Sequence, residues 1–237
     1  DVSGPLTDDG NVRGRLIYAH DKGNSYLDRY SHELNVTAGL LAFDLSSADT
    51  LTVGFSEQKS DADGSTWGAL PMADYLGNPI HYSSRSSSIG QPWTYWNIHT
   101  QRAFAELAHD FGEGWRGTVT VTGVNQHQDT QMLYAIPFTA DDVLAYINRT
   151  TSTEHQVIGE AQLSGPFALF GRQHELTLGA NYGRSRHDER GYYRNSSGSE
   201  VVSPGDALAG AVQKPPLTYT DELNTQHFTD RQKSLYA

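Results

Sequence analysis

The chain has no cysteine among its 237 residues. That excludes a disulfide framework, a thiolate metal site and a cysteine nucleophile. It permits an oxidising compartment without proving one. Charge is also scarce, at 19%, although hydrophobic residues reach only 37%. A disordered chain of such low hydrophobicity would be highly charged and poor in aromatics, yet aromatics here make up 11%. Positive charge is the rarer sign: 17 Lys and Arg stand against 28 Asp and Glu, a net charge of −11. Nucleic-acid binding, which needs a basic footprint, is therefore not expected. No run approaches the roughly 20 apolar residues of a transmembrane helix. Asp1 opens a polar, turn-like stretch and not a basic and then apolar leader. A membrane crossing by such a chain must use strands closed into a barrel, because only then are all backbone groups paired in lipid.

Reactive templates are missing as well. There is no Gly-x-Ser-x-Gly elbow, no phosphate-binding glycine loop and no HExxH. The ten histidines show no zinc-like spacing. Asp61 to Gly64 echoes a calcium loop but lacks the later ligands, and reads as a turn. Asn148 to Thr150 matches a glycosylation acceptor, a three-residue pattern that carries no function by itself. No enzyme, catalytic residue, protein-bound metal or intrinsic cofactor is expected.

What is present is alternation. Trp115, Gly117, Val119, Val121 and Gly123 share one face of an extended segment, with Arg116, Thr118, Thr120 and Thr122 on the other. Leu176, Leu178, Ala180 and Tyr182 oppose Glu175, Thr177, Gly179 and Asn181, and Leu51, Val53 and Phe55 oppose Thr50, Thr52, Gly54 and Ser56. Weaker strands lie around Val12 to Tyr18, Leu34 to Ala42, Arg102 to Leu107 and Val157 to Leu163. In the second of these Leu41 and Phe43 blur the pattern. Short turns are expected at Ser46 to Asp49, Gly112 to Gly114 and Gly165 to Gln173. Long connections are expected at Ser60 to Ile98, Leu133 to Thr153 and Tyr192 to Gln226. Short turns at one end and long loops at the other are the pattern of an outer-membrane barrel. Within the second long connection, Thr139 as a cap with Asp141 and Asp142 in the first turn predicts a short helix through Ile147.

Four stretches carry a family resemblance. Asp1 to Leu6 followed by Val12 to Arg15 is similar to the junction between plug and barrel of TonB-dependent siderophore receptors. Trp67 to Pro71 resembles the tryptophan-containing loop after the third strand. Trp93 to Trp96 with Ala103 to Glu106 resembles the lead-in to the fourth strand, and Gly112 to Trp115 the turn before the fifth. The resemblance implies a bacterial outer-membrane location and an antiparallel, all-β transmembrane barrel of 22 strands. Residues 1–237 would supply about seven or eight of these, without the plug domain and without the C-terminal strands. It also implies import of a ferric siderophore as transported ligand, with TonB–ExbB–ExbD as energy partner and outer-membrane lipid or lipopolysaccharide as surroundings.

The candidate ligand contacts are aromatic. Trp67, Tyr75, Tyr82, Trp93, Tyr95 and Trp96 fall in or beside one long loop, and Tyr134 closes the fifth strand. Such rings pack on the organic rim of a chelate and hold positive charge on their faces. The competing reading is a girdle at the lipid interface, which is the expectation for Trp115. Arg85 in the same loop is a candidate for a carboxylate or hydroxamate oxygen. Two other readings stay open: a soluble all-β glycan-active or glycan-binding protein, in which Glu106 and Glu160 would be an acid/base pair, and a passive porin or adhesin barrel.

Overall fold

The computed structural model describes all residues except 140, 194–198, 215, 217 and 220–224. One antiparallel sheet dominates. Its strands are β1 (Val2–Pro5), β2 (Val12–Asn24), β3 (Ser31–Asp44), β4 (Asp49–Asp63), β5 (Tyr95–Gly112), β6 (Trp115–Pro137), β7 (Val143–Leu169), β8 (Arg172–Tyr193), β9 (Ser199–Val202), β10 (Thr218–Tyr219) and β11 (Thr225–Tyr236). A single described helix, α1 (Pro204–Ala209), lies between β9 and β10. Neighbours in sequence are neighbours in space from β1 to β8. β10 and β11 both continue the order beside β8, and β9 pairs the tip of β7.

Register shows which side chains share a face. Phe55 pairs Ala103, Ala103 pairs Gly123, Gly123 pairs Val157, and the next row runs Val53, Ala105, Val121, Gly159 and Tyr182. Because side chains alternate strictly along a strand, all the expected apolar positions of β4 to β8 fall on one face. Phe55, Val119, Val121, Val157 and Leu178 are each exposed there. Leaving such side chains in water forfeits roughly 1.5–3 kcal/mol apiece. A soluble sandwich would bury them, so this exposure argues against the soluble reading. The opposite face carries Thr118, Thr120, Glu106 and Glu160, and Thr120 donates to Glu106 at 3.1 Å. On β3 the register resolves the blurred pattern: Leu41 pairs Val53 and Phe43 pairs Leu51, so these two take the apolar face and Leu40 and Ala42 the inner one.

The turns at one end are tight. Gly112, Glu113 and Gly114 all adopt positive φ, as do Phe170 and Gly171, which is the twist that hairpins need. At the other end the strands run long. β6 has 23 residues and β7 has 27, whereas about 9–11 cross a bilayer. More than half of each therefore stands clear of the hydrocarbon.

Two expectations fail here. Leu133 to Thr153 is no loop, and Thr139 to Ile147 is no helix. Thr139 instead closes a hairpin turn, accepting from the Asp142 N–H at 3.1 Å, and Val143 starts β7. Val143, Ala145 and Ile147 point into a buried cluster while all three pair β6 and the first two also pair β9. Two ladders and an alternating buried face outweigh a weak local helical preference. The helix that does form, α1, was missed. Ser203 caps it by accepting from the Asp206 N–H, with Pro204 in its first turn and Gly210 in the left-handed region after its end.

The hydrophobic core sits in this projecting part and not in the wall. Ile89, Leu133, Ala135, Val143, Ala145, Ile147, Ala207 and Val212 form it, with Leu70 and Trp93 packed against it.

Candidate functional site in the extracellular loops

The 64–94 connection is held in place by two polar residues, one buried and one half-buried. Gln91, fully buried, donates to the carbonyls of Ile89 and Ala207 at 2.8 Å and accepts from the Val212 N–H at 3.0 Å. Arg29, in the β2–β3 turn, donates to the carbonyls of Gly90 and Ser88 at 2.6 Å and of Leu208 at 2.9 Å. Three loops far apart in sequence become one platform. Gly90 is required there, since a Cβ would lie 1.9 Å from the Gly64 carbonyl oxygen.

On this platform Trp67 meets β6 and β7. Its N–H donates to the Leu133 carbonyl at 3.2 Å. Its ring lies 6.4 Å from Tyr134 and 5.8 Å from Tyr146, both tilted. The next residue, Gly68, has φ of 86°, and the Tyr134 ring occupies the space a Cβ would need. Tyr134 and Tyr146 alternate in step with Thr120 and Glu160, so the cluster continues the polar inner face upward. Trp96 is on that face too, paired with Thr130. Trp67, Tyr134 and Trp96 all keep partial exposure. Aromatic faces held half-open above a polar channel suit a planar, partly apolar ligand.

The other candidates are placed differently. Tyr95 stands on the opposite face, in register with Gln131 and Arg149. Its hydroxyl donates to Asp129 at 3.0 Å, and Arg149 grips the same carboxylate at 2.9 and 2.6 Å. The Arg149 guanidinium also lies 5.5 Å from the Tyr192 ring centre. Burial pushes the Asp129 carboxyl up, but Arg149 and Tyr95 outweigh it and hold it below the usual value. The hydrogen bond to Asp129 raises Arg149 further. Trp93 is structural: its indole N–H donates to the Val212 carbonyl at 2.8 Å. Tyr82 donates to the Pro71 carbonyl at 2.7 Å, and burial raises its phenol. It lines a cavity of about 370 Å³ between this loop, the β6–β7 tip and α1, away from the Trp67 cluster. Tyr75 is exposed at the tip of a small hairpin closed by the Ala73–Pro79 bridge. Arg85 is exposed among serines.

Sequence reasoning missed Tyr146, because the segment looked helical. It also missed Gln91, Arg29 and the Asp129–Arg149 pair. Only the last had a legible signal, since extending the β6–β7 hairpin register past Gly123 and Val157 brings the two within reach.

An open-ended antiparallel wall with one apolar and one polar face, tight turns below and a docked loop platform above, has the build of an outer-membrane β-barrel wall, and over nearly its whole length the chain is similar to the barrel portion of TonB-dependent siderophore receptors. One relative is the ferripyoverdine receptor of Pseudomonas aeruginosa, 33% identical over 238 residues that cover 95% of this chain and 29% of that protein. A solved structure of the outer-membrane ferripyoverdine receptor of Pseudomonas aeruginosa, bound to ferripyoverdine, matches with a TM-score of 0.81 and 31% identity, covering 98% of this chain and 31% of that one. The ferric preacinetobactin receptor of Acinetobacter baumannii shares the fold alone, with a TM-score of 0.79 at 14% identity over 99% of this chain and 35% of that one. No family model matches. The chain spans about three-tenths of the length of these ferripyoverdine receptors. They are named as receptors and not as enzymes.

Proposed function

We propose that the receptor to which this wall belongs captures a ferric siderophore of the pyoverdine type at its outer mouth and imports it with energy from TonB–ExbB–ExbD. The Trp67–Tyr134–Tyr146 cluster carries this reading, because it presents aromatic faces at the extracellular end of the polar inner face. Trp96 and Tyr75 extend the contact surface, and Arg85 meets anionic oxygens of the chelate. Iron needs no protein ligand, since the chelator fills its coordination sphere. The protein makes and breaks no covalent bond, needs no cofactor of its own, and its only cargo is the chelate. Outer-leaflet lipid surrounds the apolar face.

Tryptophan quenching tests the site. In the full-length receptor, ferripyoverdine is expected to quench emission saturably. Trp67→Ala is expected to weaken binding about tenfold, equivalent to about 1.4 kcal/mol of lost ring contact. Saturable binding with unchanged affinity in the variant would move the site elsewhere. Absence of binding by any ferric pyoverdine, or uptake that persists without TonB, would refute the function.

A further inference from the structure

We propose that the cavity between the 64–94 loop, the β6–β7 tip and α1 is a second binding site, which takes a small organic ammonium ion with an apolar body and thereby holds the loop platform closed. The site is separate from the Trp67 cluster and does not depend on the chelate reading.

The cavity measures about 370 Å³, at the lower end of the range for small-molecule sites. At about 30 Å³ each, that is room for about a dozen water-sized groups. It lies above β6 and β7, which have β5 and β8 on either side, and no residue of the edge strands β1 and β11 lines it. Its floor is the hydrophobic core itself: Ile89, Ala135, Val143 and Ala207 line it, and all four are buried. None of these side chains carries a donor or an acceptor. Tyr82 adds an aromatic wall, since its hydroxyl is engaged by the Pro71 carbonyl. Water on such a floor has few partners, and an apolar group displaces it favourably.

The more exposed part of the lining is anionic. Asp74 and Asp142 lie there, half-buried, and among the described residues no Lys or Arg joins them. Asp74 accepts from the backbone N–H groups of Leu76 and Asn78 at 2.9 and 2.8 Å, and from the Asn78 side-chain amide at 3.0 Å. Chiefly the bonds from Asn78 hold its carboxyl below the usual value, so it stays ionised at neutral pH. Asp142 accepts from the Thr139 hydroxyl at 3.2 Å, which uses one of about four lone-pair sites. Among the described residues neither carboxylate is in an ion pair. His81, exposed, is the other lining group that can carry positive charge. A bare metal ion does not match, since among the described residues no three His, Asp or Glu side chains meet to hold one. An anion is repelled by both carboxylates. An ammonium group on an aryl or alkyl body matches the carboxylates and the apolar floor together. Its body touches three segments from three different connections, so its binding adds to the hold of Gln91 and Arg29 on the platform.

The test uses the full-length receptor in lipid nanodiscs, with protein-free nanodiscs as the blank, titrated with 2-phenylethylammonium and read by saturation-transfer NMR. Saturable binding is expected, about tenfold or more tighter than that of the neutral 2-phenylethanol or the anionic 3-phenylpropanoate. Asp74→Asn/Asp142→Asn should bring the ammonium down to the level of the alcohol. No saturable binding above the blank, equal binding of the three probes, or undiminished binding by the asparagine variant overturns the proposal. Hydrogen exchange on the unmodified receptor checks the location. At a hundredfold excess of the ammonium over its Kd, peptides covering 86–94, 135–143 and 205–212 should exchange about a hundredfold more slowly. Saturable binding with unchanged exchange there places the probe elsewhere and also overturns the proposal. If the asparagine variant does not fold, the probe series and the exchange on the unmodified receptor decide. Ferripyoverdine quenching should be unchanged in the variant, which separates failure of this proposal from failure of the transport reading.

Discussion

Gln91→Leu should release the loop platform while leaving the barrel wall intact. Leucine is close to glutamine in volume, so packing changes little and the loss is of hydrogen bonds. Three buried backbone groups lose their partner: the carbonyls of Ile89 and Ala207 and the N–H of Val212. A stranded buried group costs about 1–3 kcal/mol, least for a carbonyl that can find another donor. The sum is about 3–5 kcal/mol against docking of the 64–94 loop on α1 and residues 210–212. That corresponds to on the order of a hundredfold or more in the docking equilibrium. Hydrogen exchange in the full-length receptor reads it directly. Peptides covering 86–94 and 205–212 should exchange faster by that factor, because local opening sets exchange in such segments. Peptides from 115–125, deep in the β5–β6–β7 ladders, should be unaffected and serve as the control. Loop peptides that exchange at the original rate would show that Gln91 does not hold the platform. Faster exchange everywhere would show that the platform and wall are one cooperative unit.

Other outcomes follow from the same geometry. The Asp129–Arg149 pair is half-buried and bidentate, and a double-mutant cycle with Asp129→Asn and Arg149→Met should give a coupling of about 1 kcal/mol in thermal stability. Because the folded Asp129 carboxyl lies below its ordinary value of 3.8, its contribution is present above that pH and is lost as pH falls below it. The Asn variant should lose that acid dependence, and an unchanged acid limb would assign it to other carboxylates. Gly90→Ala should misplace the platform, since its Cβ would fall 1.9 Å from the Gly64 carbonyl oxygen; weakened ferripyoverdine quenching with normal membrane insertion is the expected readout. Gly165→Ala should shift Trp115 emission, because the indole ring occupies the space above Gly165; an unaltered spectrum would mean that the ring sits elsewhere.

Legibility differed by region. The wall strands from Leu51 to Tyr182 could be read because alternation has a period of two and needs no partner to be seen. The tight turn at Gly112 to Gly114 could be read from its glycines. The β6–β7 tip could not. Thr139, Asp141 and Asp142 look like a helix start, and the same side chains serve equally well to close a hairpin, as Thr139 and Asp142 do here. Among the aromatics, composition could gather Trp67, Trp93, Tyr95 and Trp96 into one candidate set. It could not show that Trp93 would be spent on Val212, Tyr95 on Asp129, and Trp67 alone turned toward Tyr134 and Tyr146.

The sequence by itself determined the two-faced strands, and with them an all-β wall whose apolar side must meet lipid. Those features depend on the spacing of neighbours along one chain, which local sterics and hydrophobicity enforce without reference to anything distant. The tertiary structure alone decided how far β6 and β7 extend, which loops Gln91 and Arg29 bind together, and which segments enclose the cavity beside Tyr82. Those features depend on register between segments many residues apart, and register is settled only when whole strands pair and their faces are matched together.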